Sequence, residues 1–259
     1  VKVIGSQDGP LCRLKLETAS HPSEFSNESG SQNYIDLMPV PDQILLEGEY
    51  ARTVLNESGY PSKILNICGS ARMIGLKEYE VSRLFNDKKR ILIAFGGNDN
   101  YSIINLMLEI VKMKKNYYFI FKNHPRGIMN SLELNNYLIK VGFRKEDYEI
   151  NSKPAWELFR ESNFVLGTFT SVLDEAATKG LKVISLLFAE RINTSILVDL
   201  ELPWVKTASS ALDVCRIIDE DNFLMPNQEE LAKVINHLYN YTSNDTVTSW
   251  RDKIYKIVR

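Results

Sequence analysis

The chain has 259 residues, 44% hydrophobic and 25% charged, with 31 Lys and Arg against 33 Asp and Glu and a formal net charge of -2. That balance belongs to a globular protein with one large or two modest cores, and it excludes nucleic-acid binding through a broad basic face. Cys12, Cys68 and Cys215 are odd in number and in no metal spacing, so a reducing compartment is expected, and no apolar run reaches the roughly 18 to 20 residues that span a bilayer.

In chain order, Val1 to Gly5 reads as a buried strand running into Gln7-Asp8-Gly9-Pro10. The chain opens inside this strand and without Met, so it reads as a segment of a longer protein. Residues 18 to 33, rich in Ser, Glu, Asn and Gly, read as a loop. Ile44 to Leu46 is expected to be a strand, Glu49 to Glu57 a helix ending near Gly59, and Ile64 to Cys68 a strand closed by Gly69. The charged run Asn86-Asp87-Lys88-Lys89-Arg90 then interrupts the pattern. It sets the expected boundary between a short amino-terminal α/β lobe, 1 to 88, and a carboxy-terminal domain, 89 to 259.

From there strands and helices alternate, the mark of a parallel sheet covered on both faces. The expected strands are Ile91 to Phe95, Tyr117 to Phe121, Tyr148 to Ile150, Phe164 to Leu166 and Val183 to Leu187. The expected helices are Ser102 to Met113, Leu132 to Val141, Ala155 to Glu161, one opening near Ser171 and stopped by Gly180, Leu212 to Ile218, and Glu229 to Tyr241. Tyr117, Tyr118, Phe119 and Phe121 should pack in the sheet, and Tyr239, Tyr241, Trp250 and Tyr255 against the final helices. The basic run Lys112, Lys114, Lys115 reads as a solvated helix end.

The polar motifs fall just after strands, where ligands of open α/β sheets bind. Gly167-Thr168-Phe169-Thr170-Ser171 joins a strand to a helix, and the free N–H groups and positive dipole end of such a helix suit a phosphate. Glu175 lies four residues beyond Ser171 on the same helical face, where a carboxylate would meet ribose hydroxyls. His124-Pro125, flanked by Lys122 and Arg126, makes a cationic strand tip suited to a diphosphate or a departing phosphate. Gly96-Gly97 ends a strand in the manner of a backbone-donor loop. Asp8, before Gly9-Pro10, is placed as a general base would be. The sequence has neither G-x-G-x-x-G nor G-x-x-x-x-G-K-[ST], which argues against dinucleotide oxidoreductases and P-loop enzymes, and no motif calls for a metal.

Taken together, His124-Pro125, Thr170-Ser171 in FTSVLDEA, Asp8-Gly9 in SQDG and the segment Pro41 to Arg72 resemble GT-B-fold glycosyltransferases and glycerophosphotransferases of bacterial surface polysaccharide synthesis. That group includes the polysialyltransferases, capsule Kdo transferases and CDP-glycerol glycerophosphotransferases. The resemblance implies an α/β, GT-B-like fold with a Rossmann-type parallel-sheet carboxy-terminal domain and a shortened amino-terminal part. It implies transfer of a sugar or polyol phosphate from a CMP- or CDP-linked donor to an oligosaccharide or lipid-linked glycan, in the cytoplasm or at the cytoplasmic face of the inner membrane. No metal or cofactor beyond the donor is implied. Asp8 would act as base. His124 would stabilise the departing phosphate with Thr170 and Ser171, while Lys122, Pro125, Arg126, Thr168, Gly96 and Gly97 complete the donor site and Glu175 holds the ribose. The alternatives are a UDP-sugar enzyme of the same fold, either a glycosyltransferase or a UDP-GlcNAc 2-epimerase-like protein, and a non-catalytic nucleotide-sugar-binding module.

Overall fold

The computed structural model describes residues 2–7, 11, 40–71, 73, 88–96, 99–124, 129–189, 195–240 and 246–258. It divides into two compact units, Val1–Glu78 with Gln228–Arg259, and Tyr79–Asn227. The expected boundary therefore needs correcting at the carboxy-terminal end, where residues from 228 onward belong with the first unit. The reason lies in packing. Helix α8 (Gln228–Tyr239) lies against α1 (Glu49–Glu57), and Gly48 approaches it so closely that a Cβ there would stand 2.3 Å from the Leu238 carbonyl oxygen. In α9 (Thr246–Val258) the Trp250 indole N–H donates to the Gly69 carbonyl at 2.9 Å.

The first unit holds a three-stranded parallel sheet in the order β1 (Ile4–Ser6), β2 (Gln43–Leu46), β3 (Leu65–Ile67). Its core is Leu46, Ala51, Leu55, Ile64 and Leu65. Strand β1 is shorter and less covered than the sequence suggests, since Val3 is 58% exposed and β1 is bonded on one side alone, to β2. Gly59 and Gly69 both take positive φ, which explains why α1 and β3 stop where they do. Tyr255, expected to pack, is exposed.

The second unit is a six-stranded, all-parallel sheet in the order β6-β5-β4-β7-β8-β9. Its strands are β4 (Lys89–Ala94), β5 (Tyr117–Lys122), β6 (Tyr148–Asn151), β7 (Phe164–Gly167), β8 (Lys182–Leu186) and β9 (Val205–Ala208). Between them run α2 (Asn100–Lys112), α3 (Ser131–Val141), α4 (Ala155–Phe159), α5 (Ser171–Thr178) and α6 (Ile196–Asp199), with α7 (Ala211–Glu220) following β9. The central strands are near-continuous apolar runs because both faces are covered. On one face Ile91, Ile93, Phe119, Phe121, Leu166 and Ile184 pack with α2, α3 and α7, including Met107, Leu138 and Ile218. The alternate residues Leu92, Ile120, Val165 and Val183 are equally buried on the other face, where α5 lies on β7 and β8.

Local signals account for the helix ends. Asn130 caps α3 in a full capping box with Glu133, and Gly142 closes it at φ +105. Thr170 caps α5, and Gly180 follows it at φ +68. Strand β9 and helix α6 were not expected from the sequence. Trp204 anchors the start of β9 by donating its buried indole N–H to the Ala177 carbonyl at 2.8 Å.

Candidate functional site at the sheet switch point

From β4 the chain moves to β5 and β6 on one side, then returns to β7 on the other. The connections leaving β4 and β7 therefore diverge, and the crevice at their carboxyl ends is the place where such sheets accept ligands. In register across this end stand Asn151, Lys122, Ala94, Gly167, Ser185 and Thr207, all on the face that carries α5. Two of the six have no side chain or only a methyl, and three are uncharged polar groups. The row therefore sets small and uncharged polar groups beneath the start of α5.

Two glycines at these strand ends are imposed by geometry. A Cβ on Gly167 would lie 2.5 Å from the Ala94 carbonyl oxygen, and one on Gly96 would lie 3.0 Å from the Phe169 carbonyl and 3.4 Å from Thr168 Oγ1. The β4 and β7 ends thus close on each other backbone to backbone, bringing Gly96 and Thr168 together. Thr168 is buried, and its Oγ1 has no hydrogen-bond partner among the described residues. The same holds for Ser185 Oγ and for both polar side-chain atoms of Asn100, which is 1% exposed at the first position of α2. A buried polar group left unpaired costs about 1–3 kcal/mol.

Helix α5 begins as the hydroxyl-rich spacing predicts. Thr170, extended at φ -157, accepts a 3.4 Å hydrogen bond from the Val172 amide, and Ser171 is the first helical residue, half-buried. One turn on, Glu175 exerts its charge on Lys122 at the end of β5. Burial pushes the Lys122 amine below the usual lysine range, and the neighbouring Glu175 carboxylate opposes that shift. The two residues are thus close enough for their charges to interact.

His124 stands half-buried two residues beyond β5, at this same carboxyl-end edge and one strand removed from β7. Asn123 beside it donates to the Met129 carbonyl at 2.6 Å, which fixes the turn leading to α3. Lys122, His124, Gly96, Thr168, Thr170, Ser171 and Glu175 are thus gathered at one edge of one sheet. Asp8, Gly97, Pro125 and Arg126 lie outside the described residues, as do residues 18 to 33. Asn100, Asn123 and Ser185 escaped the sequence reading. Asn100 is part of a Gly-Gly-Asn-Asp-Asn run that reads as loop, and Ser185 is a single polar residue inside an apolar strand.

Comparison with protein-family models and with curated protein sequences gives no match. Solved structures do match. The UDP-GlcNAc 2-epimerase from Neisseria meningitidis bound to UDP-GlcNAc aligns over 83% of this chain and 62% of its own, at 14% identity and a TM-score of 0.56. Staphylococcus aureus MnaA in complex with UDP aligns over 92% of this chain and 66% of its own, at 14% identity and a TM-score of 0.58. The lipopolysaccharide outer core galactosyltransferase WaaB aligns over 83% and 62%, at 12% identity and a TM-score of 0.52. The chain spans less than two thirds of the length of each. No helix among the described residues is long and apolar enough to cross a membrane. With its parallel sheets and this likeness, the chain has an α/β, GT-B-like fold of Rossmann type.

Proposed function

We propose that the chain binds a UDP-linked sugar at the β4–β7 switch point and serves a GT-B-type enzyme that transfers the sugar to a glycan. What supports this reading is the gathering at the carboxyl end of one sheet of a capped helix start, a half-buried lysine within electrostatic reach of a carboxylate, and sealed hydroxyl and amide groups that have no partner among the described residues. The amides and hydroxyls opening α5, with Lys122 and His124, are suited to the diphosphate. Glu175 is suited to ribose hydroxyls. Gly96 and Gly167 let the β4 and β7 ends close on each other below the ligand. Stabilising the departing diphosphate by prearranged charge is the main catalytic resource of such a site, with Asp8 offered as the base for the incoming hydroxyl.

Uridine is preferred over the cytidine nucleotides that the sequence resemblance suggests, because the similar structures described with a bound nucleotide carry UDP or UDP-GlcNAc. In the same reading the acceptor is an oligosaccharide or lipid-linked glycan, met at the cytoplasmic face of the inner membrane, and no metal or further cofactor takes part. A non-catalytic sugar-nucleotide module is the second reading.

Calorimetry with UDP, UDP-GlcNAc, CMP and CDP tests the ligand. UDP or its sugar should bind most tightly, and tighter binding of CMP would overturn the uridine assignment. Donor turnover with and without glycan then separates transferase, epimerase and module. Asp8→Asn should abolish turnover while keeping nucleotide affinity.

A further inference from the structure

A second concavity lies at the opposite end of the same sheet, where α2 passes into β5, and it is lined by five cations. Lys88 precedes β4, Lys112 ends α2, Lys114 and Lys115 form the link to β5, and Arg144 precedes β6. Together with one carboxylate, Asp147, they surround a cavity of about 480 Å³ whose floor includes Ile110, Tyr117 and Phe119. Helix α2 has 13 residues, so at about 1.5 Å per residue it separates this cavity from the switch point by roughly 20 Å.

The charges are only partly matched. Lys115 pairs with Asp219 at 2.5 Å. Arg144 pairs with Asp147 at 2.8 Å and with Glu146 at 3.4 Å, and Lys88 reaches Asp147 only at 3.9 Å. The side chains of Lys112 and Lys114 have no ion-pair or hydrogen-bond partner among the described residues, and both residues are exposed. Lys114 holds its position at φ +54, in the left-handed region that favours glycine. Like charges facing a shared concavity raise the local potential and draw in counter-charge, more so where the floor is apolar.

We infer that this cavity is a second binding site, for a compact soluble polyanion of the diphosphate type, distinct from the switch-point crevice. Lys112 and Lys114 supply its unmatched charge, while Lys88, Lys115 and Arg144, held by Asp147, Asp219 and Glu146, form its wall. A concave pocket takes a small ion that can enter it, whereas a flat lipid surface meets only the rim.

Inorganic pyrophosphate is the probe, followed by calorimetry and by amide chemical shifts in the whole chain. Saturable binding should move the amides of Lys114, Lys115 and Asn116. The double variant Lys112→Ala with Lys114→Gly should weaken that binding by about tenfold at low salt, the glycine also easing the backbone at position 114. Lys112→Glu alone, which leaves Lys114 untouched, should weaken it as well. In Thr170→Ala with Ser171→Ala the same shifts should persist, which separates this site from the donor crevice. The inference fails if pyrophosphate moves only amides at the start of α5, or if both lysine variants bind as wild type does. It also fails if the chain sediments with anionic vesicles and the double variant does not, since the patch would then be a membrane contact.

Discussion

Gly167→Ala tests whether the crevice depends on backbone contact between β4 and β7. The new methyl carbon would sit 2.5 Å from the Ala94 carbonyl oxygen, against an ordinary contact of roughly 3.2–3.5 Å, so about 0.7–1 Å must be found. The oxygen is backbone inside a parallel ladder where Ala94 pairs with Gly167 and with Lys122, so it cannot swing aside as a side chain would. Overpacking of this kind costs about 1–3 kcal/mol, and with backbone on both sides the upper half of that range is expected. For a unit of about 150 residues this corresponds to a fall of about 4–12 °C in Tm. Thermal denaturation followed by far-ultraviolet circular dichroism measures it. Gly180→Ala serves as the comparison, since its cost comes from φ +68 alone and should be about 1 kcal/mol. UDP affinity should fall with Gly167→Ala and stay unchanged with Gly180→Ala. A Tm within 1 °C of wild type for Gly167→Ala would refute the reasoning, because the strand ends would then separate freely.

Lys122→Met should leave the protein as stable as wild type or slightly more so, since the ammonium's burial cost outweighs its attraction to Glu175, but should weaken UDP about 10- to 100-fold by calorimetry. Unchanged affinity would make the Lys122–Glu175 pair structural. Thr170→Ala should destabilise by about 0.5–1 kcal/mol in urea, the low end for a cap because the bond to Val172 is long, and Thr170→Asn should restore it. Asp219 accepts from Lys115 and from the Tyr117 hydroxyl, both at 2.5 Å, and these bonds hold its carboxyl below the usual range. A depressed carboxylate contributes stability that is complete above its unfolded pKa of about 3.9 and is lost as pH falls through the folded value. Asp219→Asn should therefore be less stable than wild type at pH 7, and the gap should shrink as pH falls below about 4. A difference that does not change with pH would count against this pair.

The parts of the fold that were legible beforehand are those where one physical signal dominates. Tyr117 to Lys122 is an uninterrupted apolar run ended by a charge, and it could be little else than a buried strand. Thr170, Ser171 and Gly180 bracket α5 as a cap and a stop, and the helix lies between them. Strand β9, Val-Lys-Thr-Ala, was missed because an edge strand bonded on one side alone needs no apolar run. The place of α8 and α9 was misread because the tight seat of Gly48 on α8 and the Trp250–Gly69 bond join residues far apart in sequence. At the carboxyl end of the sheet, the strand-end rule anticipated where the chain places His124, Thr170 and Ser171, yet the electrostatic interaction of Lys122 with Glu175 had no sequence trace. It arises only when β5, β4 and β7 stand side by side.

Because α8 and α9 complete the first unit, the whole of the second unit is inserted into it between residues 78 and 228. During synthesis the inserted unit has all of its strands and helices available once residue 227 has left the ribosome. The surrounding unit must hold α1 without α8 packed on it until the residues from 228 onward emerge. Tyr50 of α1, whose ring meets His237 of α8 edge-on at 5.9 Å, therefore waits for its neighbour long after the inserted sheet is available, and a ribosome stalled between the two would hold a finished sheet in an unfinished frame.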